Sequence, residues 1–205
     1  MSKRNILIIV SCIVLAITAV RILPAIYTTK DTISDTTAPK EYFIDISDDP
    51  VAPQNDRQNA AYAVDFVLRY CGDHTKESDL SPDIGSFFGT VMPSHIVHFF
   101  RQEGYQTKAY HGDLSMLKIR LNEGVPIIVC IRDGKSTHYA VLVGYDADRL
   151  YLADPNTDNV YDAEGSYNRV VENEEFRNIW KSDFLISDQV YIVAINITPA
   201  KPVVL

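Results

Sequence analysis

The chain has 205 residues, of which 46% are apolar and 22% are charged, proportions typical of a globular protein rather than a disordered one. Its length allows one domain of ordinary size with a terminal extension. Four basic residues and no acidic ones lie in the first thirty positions, so the other 15 bases stand against 27 acids. This acidic body argues against a nucleic-acid partner, because phosphate backbones are bound by basic surfaces. Three cysteines are too few for a disulfide scaffold, and their spacing fits no zinc site.

The amino-terminal segment is apolar on every face. Residues 6–20 carry no charge, Lys3 and Arg4 precede them, and the apolar run continues to Tyr27 if Arg21 extends its charge to the membrane surface. About 22 residues can span a bilayer as a helix. We therefore predict a signal-anchor transmembrane helix over 1–27, which enters the plasma membrane through 6–27 and leaves the rest of the chain outside the cytoplasm. A cleaved signal peptide and a lipoprotein signal ending at Cys12 are the alternatives.

Composition divides the remainder of the chain into three parts. Residues 28–40 are rich in Thr, Asp, Ser and Lys without periodicity, which predicts a stalk or linker. The folded domain is predicted over 41–197. Residues 198–205 contain two prolines and are interpreted as a tail.

Hydrophobic periodicity predicts the elements of the domain in chain order. A short strand is expected at 41–46. Helices follow at 59–70, 93–104 and 114–121, the last capped by Asp113. Strands are expected at 126–131, 138–145 and 149–153, then a helix at 174–180 and a closing strand at 189–195. Helices first and an antiparallel sheet second define an α+β fold.

Two polar residues are expected at one end of the sheet. His138 opens one predicted strand and Asp154 follows the end of the next, so a hairpin around 146–148 brings both side chains together. A carboxylate that orients an imidazole leaves the other ring nitrogen available as a base. The alternative is a strand-edge histidine beside a turn aspartate.

Several short motifs resemble one known family over about residues 51–195. They are HYAVLVGYD (138–146), Asp154-Pro155, LNEGVPIIV (121–129), GYQTKAY (104–110) and EEFRNIW (174–180). The chain is similar to the bacteriocin-processing (double-glycine) peptidases, a branch of the papain-like cysteine peptidases, in these motifs and in their order along the chain. The resemblance implies the papain-like fold, with His138 as general base and Asp154 as its orienting residue.

The chain departs from this family at the nucleophile. Counting back from VLRYCG (67–72), the family's Cys-Gly falls on Asn59 and Ala60, while Gln54 lies near the position of the oxyanion-hole Gln. A carboxamide cannot form a thiolate, so covalent catalysis is lost at Asn59. Cys71 is expected at the far end of the same helix and Cys130 in a buried strand, so neither is a candidate replacement.

The sequence therefore predicts a membrane-anchored pseudopeptidase that binds a peptide or protein in its cleft. An active hydrolase or acyl-transfer enzyme with an unrecognised nucleophile, and a structural subunit whose cleft is filled by its own side chains, are the alternatives. No cofactor and no metal are predicted. His95 and His98 stand three apart on a helix, and oxygens follow Asp154 as in a calcium loop, but neither pattern is complete.

Overall fold

The computed structural model describes residues 5–6, 8–12, 28–33, 38–46, 59–73, 84, 91–134, 136–157, 166–181 and 189–196. Its helices are α1 (Asn59–Tyr70), α2 (Pro93–Gln102), α3 (Leu114–Leu121) and α4 (Asn173–Trp180). Its strands are β1 (Thr29–Lys30), β2 (Tyr42–Phe43), β3 (Tyr105–His111), β4 (Ile127–Asp133), β5 (Ser136–Tyr145), β6 (Arg149–Ala153), β7 (Arg169–Glu172) and β8 (Val190–Asn196). The predicted α1, α3 and β6 have the observed bounds, and the other predicted elements differ by a few residues at their ends.

One sheet contains all eight of these strands. Its order is β1-β3-β8-β4-β5-β6-β7, and β2 pairs with the end of β5 beyond the reach of β4. Only the contact between β1 and β3 is parallel among the described pairs. The centre of the sheet is buried on both faces. This is expected for strands whose apolar residues do not alternate with polar ones, as in the first five residues of β4. The predicted α+β class is thus confirmed, and the sheet is antiparallel as predicted except at the β1–β3 contact.

Helix α1 packs against β5 and supplies much of the core. Its residues 60–68 are all buried, including Asp65, and the chain leaves the helix through Gly72 at a φ of +83°. The predicted cap of α3 is confirmed, because the Asp113 carboxylate accepts a hydrogen bond from the Met116 amide at 3.0 Å.

Besides β1, two strands were not predicted, and one of them alters the expected order. β3 lies between α2 and α3, so the helices do not all precede the sheet. Its exposed and buried residues alternate, but one of the buried positions holds Thr107 and another only Ala109. These side chains give little apolar contrast with their neighbours, which weakens the strand signal. β7 has only four residues and a single fully buried one, Val171.

The predicted stalk also differs from the structure. Residues 29–30 form β1 at the edge of the sheet, and Asp31 is only 2% exposed. The Asp31 carboxylate accepts hydrogen bonds from Arg120 at 2.8 and 2.9 Å and from the Tyr191 hydroxyl. The described part of the segment at 28–33 therefore belongs to the folded domain. Of its polar side chains only Asp31 is buried, and Thr29, Lys30 and Thr32 are exposed.

Several predictions fall outside the described residues. They concern most of the apolar run 6–27, the tail 198–205, Gln54 and the side chain of Asn59. Residues 5–6 and 8–12 are helical and exposed. None of the helices that the structure describes has both the length and the apolar character needed to cross a membrane.

Candidate functional site

His138 and Asp154 meet at the end of the hairpin formed by β5 and β6. In this hairpin Val141 pairs with Ala153, the residue before Asp154. His138 Nε2 lies 2.9 Å from Asp154 Oδ1, and neither side chain has any exposed surface. The predicted proximity of the two residues is confirmed.

Asp154 is held by the start of β7 as well as by His138. Arg169 Nη1 donates to Asp154 Oδ2 at 2.8 Å, and the Asn156 amide donates to Oδ1 at 2.8 Å. Asn168 accepts from the Asp154 amide at 2.8 Å and donates to its carbonyl at 2.9 Å. The network therefore joins β5, β6 and β7 through one carboxylate.

Sequence reasoning did not identify Arg169 or Asn168. A signal was available, because a buried carboxylate needs hydrogen-bond donors and positive charge around it to compensate its desolvation. Arg169 is one of the few bases between Asp154 and the end of the chain. Its place beside Asp154 follows from the pairing of β6 with β7, which brings Leu152 opposite Arg169.

The hydrogen bonds of Asp154 determine its charge and the orientation of the imidazole. Burial alone would raise the pKa of Asp154, but the hydrogen bond and charge of His138, the Asn156 amide and Arg169 together lower it. The carboxylate is therefore ionised and can only accept, so His138 Nε2 is the nitrogen that carries the proton. His138 Nδ1 is buried and has no hydrogen-bond partner among the residues that the structure describes.

No cysteine in the described part of the domain can act on this base. Cys130 pairs with Tyr139 and His138 pairs with Ile131, so the thiol and the imidazole point to opposite faces of the sheet. Burial raises the pKa of the Cys130 thiol to about 12. Cys71 lies just beyond the last residue of α1, about 18 Å along the helix from Asn59. Burial raises the pKa of Cys71 as well, and all three cysteines are free.

The remaining candidate residues, Asn59 and His95, lie at the starts of helices. Asn59 is the first residue of α1, which is where the family's nucleophile is expected. His95 Nδ1 accepts a hydrogen bond from the Met92 amide at 3.1 Å and so helps to cap the N-terminus of α2. The described residues contain no cluster of three or more His, Cys, Asp or Glu side chains suited to a metal ion.

Comparison with known proteins identifies the family. A model described as the Peptidase C39 like family matches residues 16–183, which is most of the chain. The chain belongs to the C39-like peptidase family. No match was found among curated proteins.

Three solved structures resemble the fold of this C39-like chain, each over 71% of its length. The peptidase domain of Streptococcus ComA, a bifunctional ABC transporter of a quorum-sensing pathway, is 19% identical and is covered over 97% of its length, with a TM-score of 0.57. A C39-like protein from Bacillus anthracis is 16% identical and 97% covered, with a TM-score of 0.53. A double-glycine-motif protease from an AMS/PCAT transporter, crystallised with a leader peptide, is 17% identical and 89% covered, with a TM-score of 0.52. The likeness establishes the double-glycine peptidase fold.

Proposed function

We propose that this C39-like chain is a membrane-anchored domain outside the cytoplasm that binds a peptide or protein without cleaving it. One observation supports the proposed loss of catalysis: His138 Nδ1 has no thiol or hydroxyl partner among the described residues. A cysteine peptidase needs a thiolate beside its imidazole, and the residue at the expected position is Asn59.

The burial of the site supports the same conclusion. His138 and Asp154 are completely enclosed, and Asp154 is compensated by Arg169. A general base must come within hydrogen-bond reach of the substrate. In this chain the retained pair joins three strands, which gives it a structural role independent of catalysis.

Peptide binding is proposed from the fold. The AMS/PCAT neighbour, which shares this architecture, was crystallised with a leader peptide. An extended peptide can also pair with a free sheet edge. β1 already covers the edge of β3, whereas β7 pairs only with β6 among the described strands.

The test uses the detergent-solubilised full chain and a synthetic leader peptide ending in Gly-Gly. We expect saturable binding by fluorescence anisotropy, weaker binding of a scrambled peptide, and no cleavage product by mass spectrometry. Cleavage that disappears in His138→Ala would contradict the proposal and favour the enzyme with an unrecognised nucleophile, since the His138–Asp154 geometry is intact. Absence of binding would favour the structural subunit.

A further inference from the structure

The first folded residues after the apolar segment 6–27 lie directly on one edge of the sheet. Thr29 and Lys30 pair in parallel with Tyr110 and His111 of β3. The Asp31 amide donates to the His111 carbonyl at 3.1 Å, and Thr28 Oγ1 lies 3.0 Å from His111 Nδ1. The described part of this segment is therefore in contact with the domain from Thr28 onward.

A buried ion pair holds this segment in place. The Asp31 carboxylate receives two hydrogen bonds from the Arg120 guanidinium and one from the Tyr191 hydroxyl. Arg120 also lies over the Tyr110 ring, 4.8 Å from its centroid. Asp31 is enclosed, whereas Arg120 is half-buried and also donates to Glu123 at 2.8 Å. Detaching the segment therefore removes both hydrogen bonds between Arg120 and Asp31 and leaves Glu123 as the remaining carboxylate partner of Arg120.

This attachment greatly shortens the distance between the apolar segment and the domain. A free stalk over 28–40 could span up to about 45 Å, whereas one residue separates Tyr27 from the attached strand by about 3.5 Å. The opposite edge of the sheet, β7, is five strand spacings from β3, roughly 24 Å. The two edges of the sheet therefore lie at very different distances from the end of the apolar segment.

We propose that the β3 edge is the surface on which the domain rests against the phospholipid headgroups, with the β7 edge directed away from the bilayer. The inference depends on the membrane anchoring proposed above and adds an orientation to it. Exposed Lys30 and Lys108 lie on the β1–β3 edge of a chain whose net charge is −8. Basic residues next to a membrane segment are attracted to anionic headgroups. This orientation leaves the β7 edge accessible to a soluble peptide.

The test compares two fluorescent labels on the full chain. Gln106 on β3 and Val170 on β7 are both exposed and are each replaced by Cys, in a Cys12→Ser, Cys71→Ser background where Cys130 is buried. The labelled chains are reconstituted into phosphatidylethanolamine/phosphatidylglycerol vesicles that contain a nitroxide on some headgroups. We expect stronger quenching of the label at residue 106 than of the label at residue 170.

Two variants separate orientation from folding. A Gly/Ser insert of about ten residues between Tyr27 and Thr28 keeps β1 in place but adds roughly 17 Å of flexible chain, so the difference in quenching should be lost with unchanged circular dichroism. Asp31→Ala should also reduce the difference, while Thr32→Ala, at the exposed neighbouring position, should not.

The outcomes distinguish this inference from the proposed anchoring. Equal quenching at both labels in vesicle-bound chain, or stronger quenching at residue 170, overturns the orientation and leaves the anchoring intact. A persistent difference after the insertion also overturns it. A chain that does not float with the vesicles overturns the anchoring, and the proposed surface with it.

Discussion

At the scale of single residues, two buried aspartates at different places in the fold each accept hydrogen bonds from an arginine. Asp154 orients His138 as a catalytic aspartate would, but Arg169 compensates its charge and no solvent reaches it. Asp31 is buried with Arg120 at the sheet edge. Both aspartates lie in polar stretches of sequence that contain other aspartates, so composition does not reveal that they are buried.

Replacing Asn59 by Cys tests the assignment of the nucleophile position. A thiol at the first residue of α1 should have a lowered pKa, because the helix dipole and a neighbouring imidazole favour the thiolate. We expect iodoacetamide to label N59C much faster than Cys71, whose pKa is raised by burial at the other end of the helix. Adding His138→Ala should slow the labelling of N59C. Labelling that does not depend on His138 would show that residue 59 is not beside the imidazole.

Asp31 should make the stability of the domain depend on pH in the acid range. Burial alone would raise the pKa of Asp31, but the hydrogen bonds from Arg120 and Tyr191 lower it to about 2. A lowered pKa in the folded state stabilises the protein above the unfolded value of about 4, by roughly 2 kcal/mol, and this is lost as pH falls towards 2.

The measurement is the free energy of unfolding in urea from pH 6 down to about pH 2, where the Asp31 contribution is lost. The free energy of unfolding of the wild type should exceed that of Asp31→Asn near neutral pH, and this difference should shrink as the pH falls. The matched substitution Asp45→Asn, at an exposed position, should follow the wild-type curve. A difference between wild type and Asp31→Asn that stays constant with pH would contradict the ionised, paired state of Asp31.

At the scale of elements, β1 shows why short strands escape detection. It contains only Thr29 and Lys30, both exposed, so it has no hydrophobic pattern. Its position depends on β3, some 80 residues further along the chain, and on a salt bridge to α3. The helices and the hairpin strands, by contrast, were predictable because each contains enough apolar residues in its own sequence, either at helical spacing or as a continuous buried run.

Two truncations test whether β1 is part of the domain. A chain that begins at Thr28 keeps the edge strand, whereas one that begins at Glu41 leaves the edge of β3 open and Arg120 without Asp31. Loss of the edge strand and of the Asp31 hydrogen bonds to half-buried Arg120 should cost about 1–3 kcal/mol, so the shorter chain should have a lower thermal midpoint. Equal midpoints by circular dichroism would show that 28–40 is a stalk after all.

A second substitution distinguishes the loss of the ion pair from the loss of chain. Arg120→Met in the shorter chain removes a half-buried charge that has lost Asp31, while keeping an apolar side chain beside Tyr110. We expect it to recover part of the lost stability. The same substitution in the longer chain should destabilise the protein, because it leaves Asp31 buried without its partner.

At the scale of the whole molecule, the basic amino terminus and the acidic domain set the expected topology. Lys3 and Arg4 precede the apolar run, and cytoplasmic flanks carry the excess of basic residues. Protease added to intact spheroplasts should therefore digest the domain while a cytoplasmic marker stays intact. The Lys3→Glu, Arg4→Glu variant should increase the protected fraction. A wild-type domain that is protected until lysis would contradict the predicted topology.

The sequence alone determined the family, the α+β class and the meeting of His138 with Asp154. The family followed from several motifs in their order along the chain. The meeting of His138 with Asp154 followed from a hairpin whose strands are adjacent in the chain. Local periodicity is enough for such features, because neighbouring segments have few alternative pairings.

Only the tertiary structure decided the contacts between distant segments. It placed β1 against β3, Asp31 beside Arg120 and Tyr191, and Arg169 beside Asp154. These polar groups carry no periodicity, and each is buried only because a partner from elsewhere in the chain compensates its desolvation. The choice among possible partners depends on the packing of the complete sheet, which no local pattern contains.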